Sequence, residues 1–160
     1  MAGTSEIAYF AAGCFWGVEA AFREVQGVLS TTVGYQGGTF MNPSYDDVCS
    51  GETRHAEVVA VSFDSGQVSY ETLLDVFWAS HNPTTLNRQG PDVGSQYRSA
   101  IFYTSDVQKQ SAENSKAALE QRKTYPGPIV TEIMRATDFY PAEDYHQQYL
   151  EKRGLATCRI

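Results

Sequence analysis

The chain has 160 residues, of which 42% are hydrophobic and 19% charged, and its formal net charge is -7. This length and composition predict one globular domain over residues 1–160 that can fold without disulfides or metals. The acidic excess argues against nucleic acid and anionic membranes as partners. Without a long apolar stretch or a leader-like start, the chain is expected to be cytoplasmic.

Hydrophobic periodicity predicts an alternation of strands and helices. Strands are expected at 5–12, 28–35, 55–63, 97–104 and 129–135, and helices at 15–26, 70–78, 105–125 and 142–153. The segments 39–54 and 81–96 are expected to be mostly irregular. The first six elements follow the order β-α-β-β-α-β, which is that of the ferredoxin-like motif. We therefore expect an α+β two-layer sandwich with a mixed sheet, extra C-terminal elements and a mobile tail at 154–160.

Cys14 stands where the first predicted strand passes into the first helix, within Gly13-Cys14-Phe15-Trp16-Gly17. The N-terminal turn of a helix favours a thiolate over a thiol, which predicts a lowered pKa and a nucleophilic sulfur. The alternative is a buried cysteine that serves packing only. Three cysteines are too few for a disulfide framework, and an odd number indicates redox or nucleophilic use.

The five residues around Cys14 resemble the signature of the A-type peptide methionine sulfoxide reductases. Other segments resemble that family in the same order: Gly34-Tyr35-Gln36-Gly37-Gly38, Asn42-Pro43-Ser44-Tyr45, Val48-Cys49-Ser50-Gly51 with His55-Ala56-Glu57, Asn87 to Ser99, and Phe139 to Gln147. The resemblance covers nearly the whole chain. It implies a thioredoxin-dependent oxidoreductase that reduces the S epimer of methionine sulfoxide, free or protein-bound, to methionine.

The resemblance also implies roles for particular residues. Cys14 is the nucleophile and becomes a sulfenic acid, and Glu57 is the acid that protonates the departing oxygen. Tyr45 and Tyr97 hold that oxygen through their hydroxyls. The remaining implied residues belong to substrate binding: Phe15 and Trp16 as an apolar wall for the S-methyl group, and Asp92 as a positioning carboxylate.

Each of these residues also has a purely structural interpretation. Glu57 could face solvent on an edge strand, because period-two alternation does not determine its face. The two tyrosines and the two residues after Cys14 could be core aromatic residues, and Asp92 could be a turn residue after Pro91.

For the return of Cys14 to the thiol, the resemblance implies an intramolecular disulfide that thioredoxin then reduces. Cys158, in the tail, is the expected resolving cysteine. Cys49 is the competitor, although packing is its expected role. The sequence departs from the family pattern at Arg54, which stands at a common glycine, and at Pro91, which stands at a common asparagine.

No metal is expected, because His55, His81 and His146 lack a metal-ligand spacing. No glycine-rich dinucleotide turn is present either, and the resemblance implies neither flavin nor nicotinamide. Two rival functions stay open. Cys14 could act with one of the histidines as an acyl hydrolase, or the aromatic residues could form a module that binds methionine without turnover.

Overall fold

The computed structural model describes residues 5–50, 52–123, 125 and 127–152. The predicted tail at 154–160 therefore lies outside the described residues. The described elements in chain order are β1 (Ser5–Ala12), α1 (Phe15–Arg23), β2 (Val28–Gln36), α2 (Tyr45–Cys49), β3 (Ala56–Asp64), α3 (Tyr70–Ala79), β4 (Arg88–Gln89), β5 (Asp92–Val93), β6 (Ser99–Tyr103), α4 (Asp106–Gln121), β7 (Glu132–Arg135), β8 (Tyr140–Pro141) and α5 (Tyr149–Lys152). Two short 3-10 helices occupy Ser95–Tyr97 and Asp144–His146.

Within these ranges six strands form one sheet in the order β7-β6-β1-β3-β2-β8. The four central strands, β6-β1-β3-β2, pair with one another antiparallel, as in a ferredoxin-like sheet. On one edge β7 adds parallel to β6, and on the other β8 adds antiparallel to β2, so the sheet is mixed. The predicted α+β fold with extra C-terminal elements is confirmed.

The main core lies between the sheet and its helices. Phe10 of β1 stacks on Phe22 of α1 at a centroid distance of 4.9 Å and contacts Phe77 of α3 at 5.4 Å. A smaller cluster on the opposite face contains Ala11, Phe102 and their neighbours. Because successive strand residues point to opposite faces, β1 contributes to both clusters. Among the described helices, none combines the length and apolarity needed to cross a bilayer.

Two segments predicted to be irregular contain short elements. Ser44 caps α2: its hydroxyl accepts a hydrogen bond from the Asp47 N–H, and the Asp47 carboxylate accepts one from the Ser44 N–H. This capping box makes a helix of five residues possible where the apolar pattern is too short to reveal one. Further along, β4 and β5 pair around Gly90 and Pro91. Gly90 has a φ of 56°, which suits the first position of a two-residue hairpin loop.

The predicted helix at 142–153 is wrong over most of its length. β8 (Tyr140–Pro141) joins the sheet just before this segment, which then passes through a 3-10 turn and reaches α5 only after Gln148, whose φ is 50°. The Gln147 side chain accepts a hydrogen bond from the Val33 N–H at 2.8 Å and donates one to the Val33 carbonyl at 2.9 Å. Hydrogen bonds to β2 therefore override the local helical preference of this segment.

Candidate active site

The first element of the site is the turn that carries Cys14. β1 ends at Ala12, Gly13 has a φ of 98°, and Cys14 is the N-cap residue of α1. A Cβ atom on Gly13 would lie 2.9 Å from Cγ of Gln89, so both the backbone conformation and the available space require glycine. The Cys14 side chain is partly exposed. The predicted location at a strand-to-helix junction is confirmed.

Glu57 of β3 lies directly beneath this turn. Its Oε1 atom accepts a hydrogen bond from the Phe15 N–H at 3.2 Å, and its side chain is 1% exposed. Its Oε2 atom is also buried and has no hydrogen-bond partner among the described residues. Burial raises the pKa of Glu57 to about 8, the Phe15 N–H opposes that rise, and the Asp92 charge adds to it. The solvent-facing alternative for Glu57 is excluded, and its carboxyl group is mostly protonated at neutral pH.

Two tyrosine hydroxyls surround Glu57. Tyr45 is the first residue of α2, and its hydroxyl is hydrogen-bonded to the Cys49 thiol. Tyr97 lies in the 3-10 helix before β6. Burial, and the charge of Glu57 after it, raise the pKa of Tyr97 far above its usual value, and burial does the same for Tyr45. Both phenols therefore remain protonated and can donate hydrogen bonds.

The aromatic residues after Cys14 form one wall of the cleft. Phe15 is buried, and its ring lies 6.5 Å from that of Tyr45. Trp16 stacks on Tyr149 with a centroid distance of 3.8 Å, and its indole N–H donates to Nδ1 of His146 at 3.0 Å. The wall is thus a packed set of rings held in place by a hydrogen bond.

Asp92 reaches the site from the β4–β5 hairpin. It is partly exposed, and its charge raises the pKa of both Glu57 and Tyr97. These effects require the Asp92 carboxylate to lie near both groups. Asp92 therefore places a second carboxyl group close to the buried Glu57.

A family profile described as peptide methionine sulfoxide reductase matches residues 6–160 of the chain. The chain belongs to this family. The reductase MsrA of Methanothermobacter thermautotrophicus is 61% identical over 155 residues, which cover 97% of this chain and 92% of that protein. The structure of methionine sulfoxide reductase A of Corynebacterium diphtheriae is similar with a TM-score of 0.84 and 38% identity, covering 96% of this chain and 77% of that chain. The structure of Mxr1 from Saccharomyces cerevisiae in reduced form is similar with a TM-score of 0.88 and 36% sequence identity. The match covers 94% of this chain and 86% of that chain.

Membership in the peptide methionine sulfoxide reductases confirms the predicted function and removes the two rivals. The acyl hydrolase would need a histidine base beside Cys14. Both ring nitrogens of His55 and of His81 are hydrogen-bonded elsewhere, those of His55 to the Gly38 N–H and the Phe40 carbonyl. Nδ1 of His146 already accepts the Trp16 N–H, so its lone pair is occupied.

Sequence reasoning placed no role on several residues that support this reductase site. Glu143 accepts hydrogen bonds from the Tyr35 hydroxyl at 3.1 Å and from the Tyr45 N–H at 3.0 Å. His146 and Tyr149 support Trp16. Glu143 and His146 lie in the segment Phe139 to Gln147, which resembles the family, but the helix predicted at 142–153 hid the contacts of these residues and of Tyr149 to the site.

The other cysteines differ in what the structure describes. Cys49 ends α2 with an exposed side chain, so the prediction that it serves packing is wrong. Partial burial of its thiol raises its pKa, and the hydrogen bond with Tyr45 opposes that rise. Cys158 lies outside the described residues. Among the described side chains, no group of three or more histidines, cysteines or carboxylates could hold a metal ion.

Proposed function

We propose that this protein reduces the S epimer of methionine sulfoxide, free or within proteins, by attack of the Cys14 thiolate on the sulfoxide sulfur. The observation that carries the proposal is the buried, protonated Glu57 carboxyl, hydrogen-bonded to the residue that follows Cys14. The thiol supplies both electrons. Its sulfur is oxidised to a sulfenic acid, and the sulfoxide is reduced to the thioether of methionine.

The sulfoxide oxygen needs a proton to leave as the hydroxyl of the sulfenic acid, and Glu57 supplies it. Its Oε2 atom has no partner among the described residues, which supports a proton held there until a substrate oxygen accepts it. A pKa of about 8 keeps this proton available at neutral pH and still allows its transfer to a strongly basic oxygen. The proton and the oxygen end on the sulfenic acid of Cys14.

Tyr45 and Tyr97 hold the sulfoxide oxygen in this proposal. Their raised pKa values support neutral hydroxyls that donate to an oxygen whose negative charge grows as the sulfur is attacked. Phe15 and Trp16 receive the S-methyl group against their rings. Asp92 positions the substrate from the opposite side.

A second thiol then resets the enzyme. The Cys14 sulfenic acid and the Cys158 thiol condense to a disulfide with loss of water, and thioredoxin reduces that disulfide by exchange. The yeast protein Mxr1 has been crystallised in complex with Trx2, which supports a similar partner here. This cycle needs a compartment rich in reducing dithiols, such as the cytoplasm. In this proposal residues 1–160 act as one catalytic domain, and its C-terminal segment 154–160 supplies Cys158.

The proposal is tested by single-turnover reduction of a methionine sulfoxide of defined sulfur configuration. The wild-type protein without reductant should convert about one equivalent of the S epimer per site and none of the R epimer. C14S should convert neither. C158S should still reduce one equivalent but lose recycling by thioredoxin.

C49S is the matched control, because it removes the other described thiol from the same cleft. It should retain both the first turnover and recycling. Full thioredoxin-supported turnover of C158S would remove Cys158 from the cycle, and loss of recycling in C49S would assign that role to Cys49.

A further inference from the structure

A buried side-chain amide connects the Cys14 turn to the hairpin that carries Asp92. Gln89 of β4 is 1% exposed. Its aliphatic stem packs on Gly13, since a Cβ atom there would meet Cγ of Gln89 at 2.9 Å and its Cβ at 3.0 Å. In the hairpin, Gln89 pairs directly with Asp92. Gln89 therefore contacts both the backbone next to Cys14 and the strand that carries Asp92.

The amide end of Gln89 is fixed by three hydrogen bonds. Its Oε1 atom accepts from the Asn82 N–H at 3.0 Å, and its Nε2 atom donates to the Asn82 carbonyl at 2.6 Å and to Oγ1 of Thr85 at 3.3 Å. Pairing with both backbone groups of Asn82 imitates a strand pairing across the loop. A loop with positive φ at Asn87, Gly90 and Gly94 is thereby closed by a side chain.

We infer that Gln89 is a positioning residue that sets the location of Asp92 relative to Cys14. Asp92 lies on a two-residue strand at the end of this loop, so the amide pairing to Asn82 determines where its carboxylate stands. The stem of Gln89 sets the distance of that strand from the Gly13-Cys14 turn. This inference rests on the proposed function, in which Asp92 positions the sulfoxide.

The test separates the stem from the amide. Q89M keeps an unbranched stem against Gly13 and removes the amide, which leaves the Asn82 N–H unpaired and the Asn82 carbonyl with only the Thr85 hydroxyl at 3.3 Å. It should raise KM for methionine sulfoxide about tenfold with a smaller change in kcat. The reason is that a misplaced Asp92 weakens substrate binding more than it slows the chemical step. Combined with D92N, it should add little, since both changes act through the same carboxylate.

Gln108 provides a matched control. Its buried amide accepts from the Thr104 N–H and donates to the Ile7 carbonyl, which is the same kind of pairing away from the cleft. Q108M should lower the melting temperature about as much as Q89M while leaving KM unchanged. A similar rise of KM in both variants would mean that Gln89 affects KM only through the general stability of the fold, and would overturn the inference.

A second measurement does not depend on activity. Amide hydrogen exchange should accelerate over 82–93 in Q89M but not in Q108M, and a wild-type exchange pattern in Q89M overturns the inference. Should D92N alone leave KM unchanged, the substrate-positioning role of Asp92 in the proposed function fails. The exchange result then still decides whether Gln89 holds the hairpin.

Discussion

Glu57 is a carboxylic acid kept protonated by its surroundings. Its side chain is 1% exposed, and the hydrogen bond from Phe15 compensates only part of the cost of burying a charge there. Glu143 has the opposite shift. Burial raises its pKa, but the hydrogen bonds that it accepts lower the pKa by more. Two glutamates near one cleft thus differ in charge because Glu57 is almost fully buried with one hydrogen-bond donor, whereas Glu143 is less buried and accepts hydrogen bonds from both Tyr35 and Tyr45.

We expect E57Q to slow the single-turnover reduction about 10²- to 10⁴-fold, the usual contribution of a positioned proton donor. In the proposed mechanism Glu57 acts in its protonated form, and its pKa is about 8. The ratio of the wild-type rate to the E57Q rate should therefore be constant below about pH 7 and fall above pH 8, by about tenfold per pH unit. Measuring the ratio cancels the pH dependence of Cys14, which both proteins share.

A far-UV spectrum and melting temperature like those of the wild type would show that E57Q is folded. The same measurement on E120Q, an exposed glutamate of α4, provides the control and should give the wild-type rate at every pH. A wild-type rate for E57Q would assign proton donation to another group.

Arg54 is a position where the family pattern indicates the backbone conformation. The chain has an arginine where the family commonly has glycine, and the φ of this arginine is 63°, a conformation that favours glycine. The exposed side chain avoids steric conflict in the core. Glu57 was different, because no residue near it in the sequence could decide which face of the strand it occupied; only the pairing of β3 between β1 and β2 did.

The C-terminal segment is held to the sheet by side-chain amides rather than by a long helix. Gln147 pairs with both backbone groups of Val33, and Gln148 donates through its N–H and its Nε2 to the buried Glu19 carboxylate at 2.8 Å. These contacts place His146 against Trp16. Their partners lie more than 110 positions away in the chain, which is why local periodicity predicted a helix here.

We expect Q147M to lower the free energy of unfolding by about 1–3 kcal/mol, because the buried Val33 N–H loses its partner and the Val33 carbonyl keeps only the Ala142 N–H. Amide exchange should accelerate over 139–150, and denaturant unfolding should measure the stability change. Q110M makes the same substitution in α4, where the glutamine is exposed and bonded only to Asn114 among the described residues. It should change stability by less than about 0.5 kcal/mol. Equal losses in the two variants would contradict a clamping role for Gln147.

At the level of the whole molecule, the strand that leads to Cys14 is also the centre of the core. Phe10 of β1 lies within 6 Å, between ring centroids, of Phe22, Tyr70 and Phe77. The order of the first six elements was predictable because each strand and helix carries its own periodicity. The convergence of Cys14, Glu57 and the hairpin was not, since it depends on the strand order β6-β1-β3-β2 and on loops without periodicity.

We therefore expect a core substitution to change the unfolding free energy but not the rate of sulfoxide reduction, and a site substitution to change the rate but not the stability. F10A removes a fully buried ring and should cost about 3–5 kcal/mol of unfolding free energy, which for a chain of this size lowers the melting temperature by roughly 10 °C. I7A, on the same strand but exposed, should cost far less. Below its transition, F10A should keep a single-turnover rate within a few-fold of wild type, because Glu57 and the turn at Gly13 are unchanged. C14S should show the converse, with wild-type melting and no reduction of sulfoxide. A loss of rate in F10A well below its melting temperature would mean that the core also sets the geometry of the thiol.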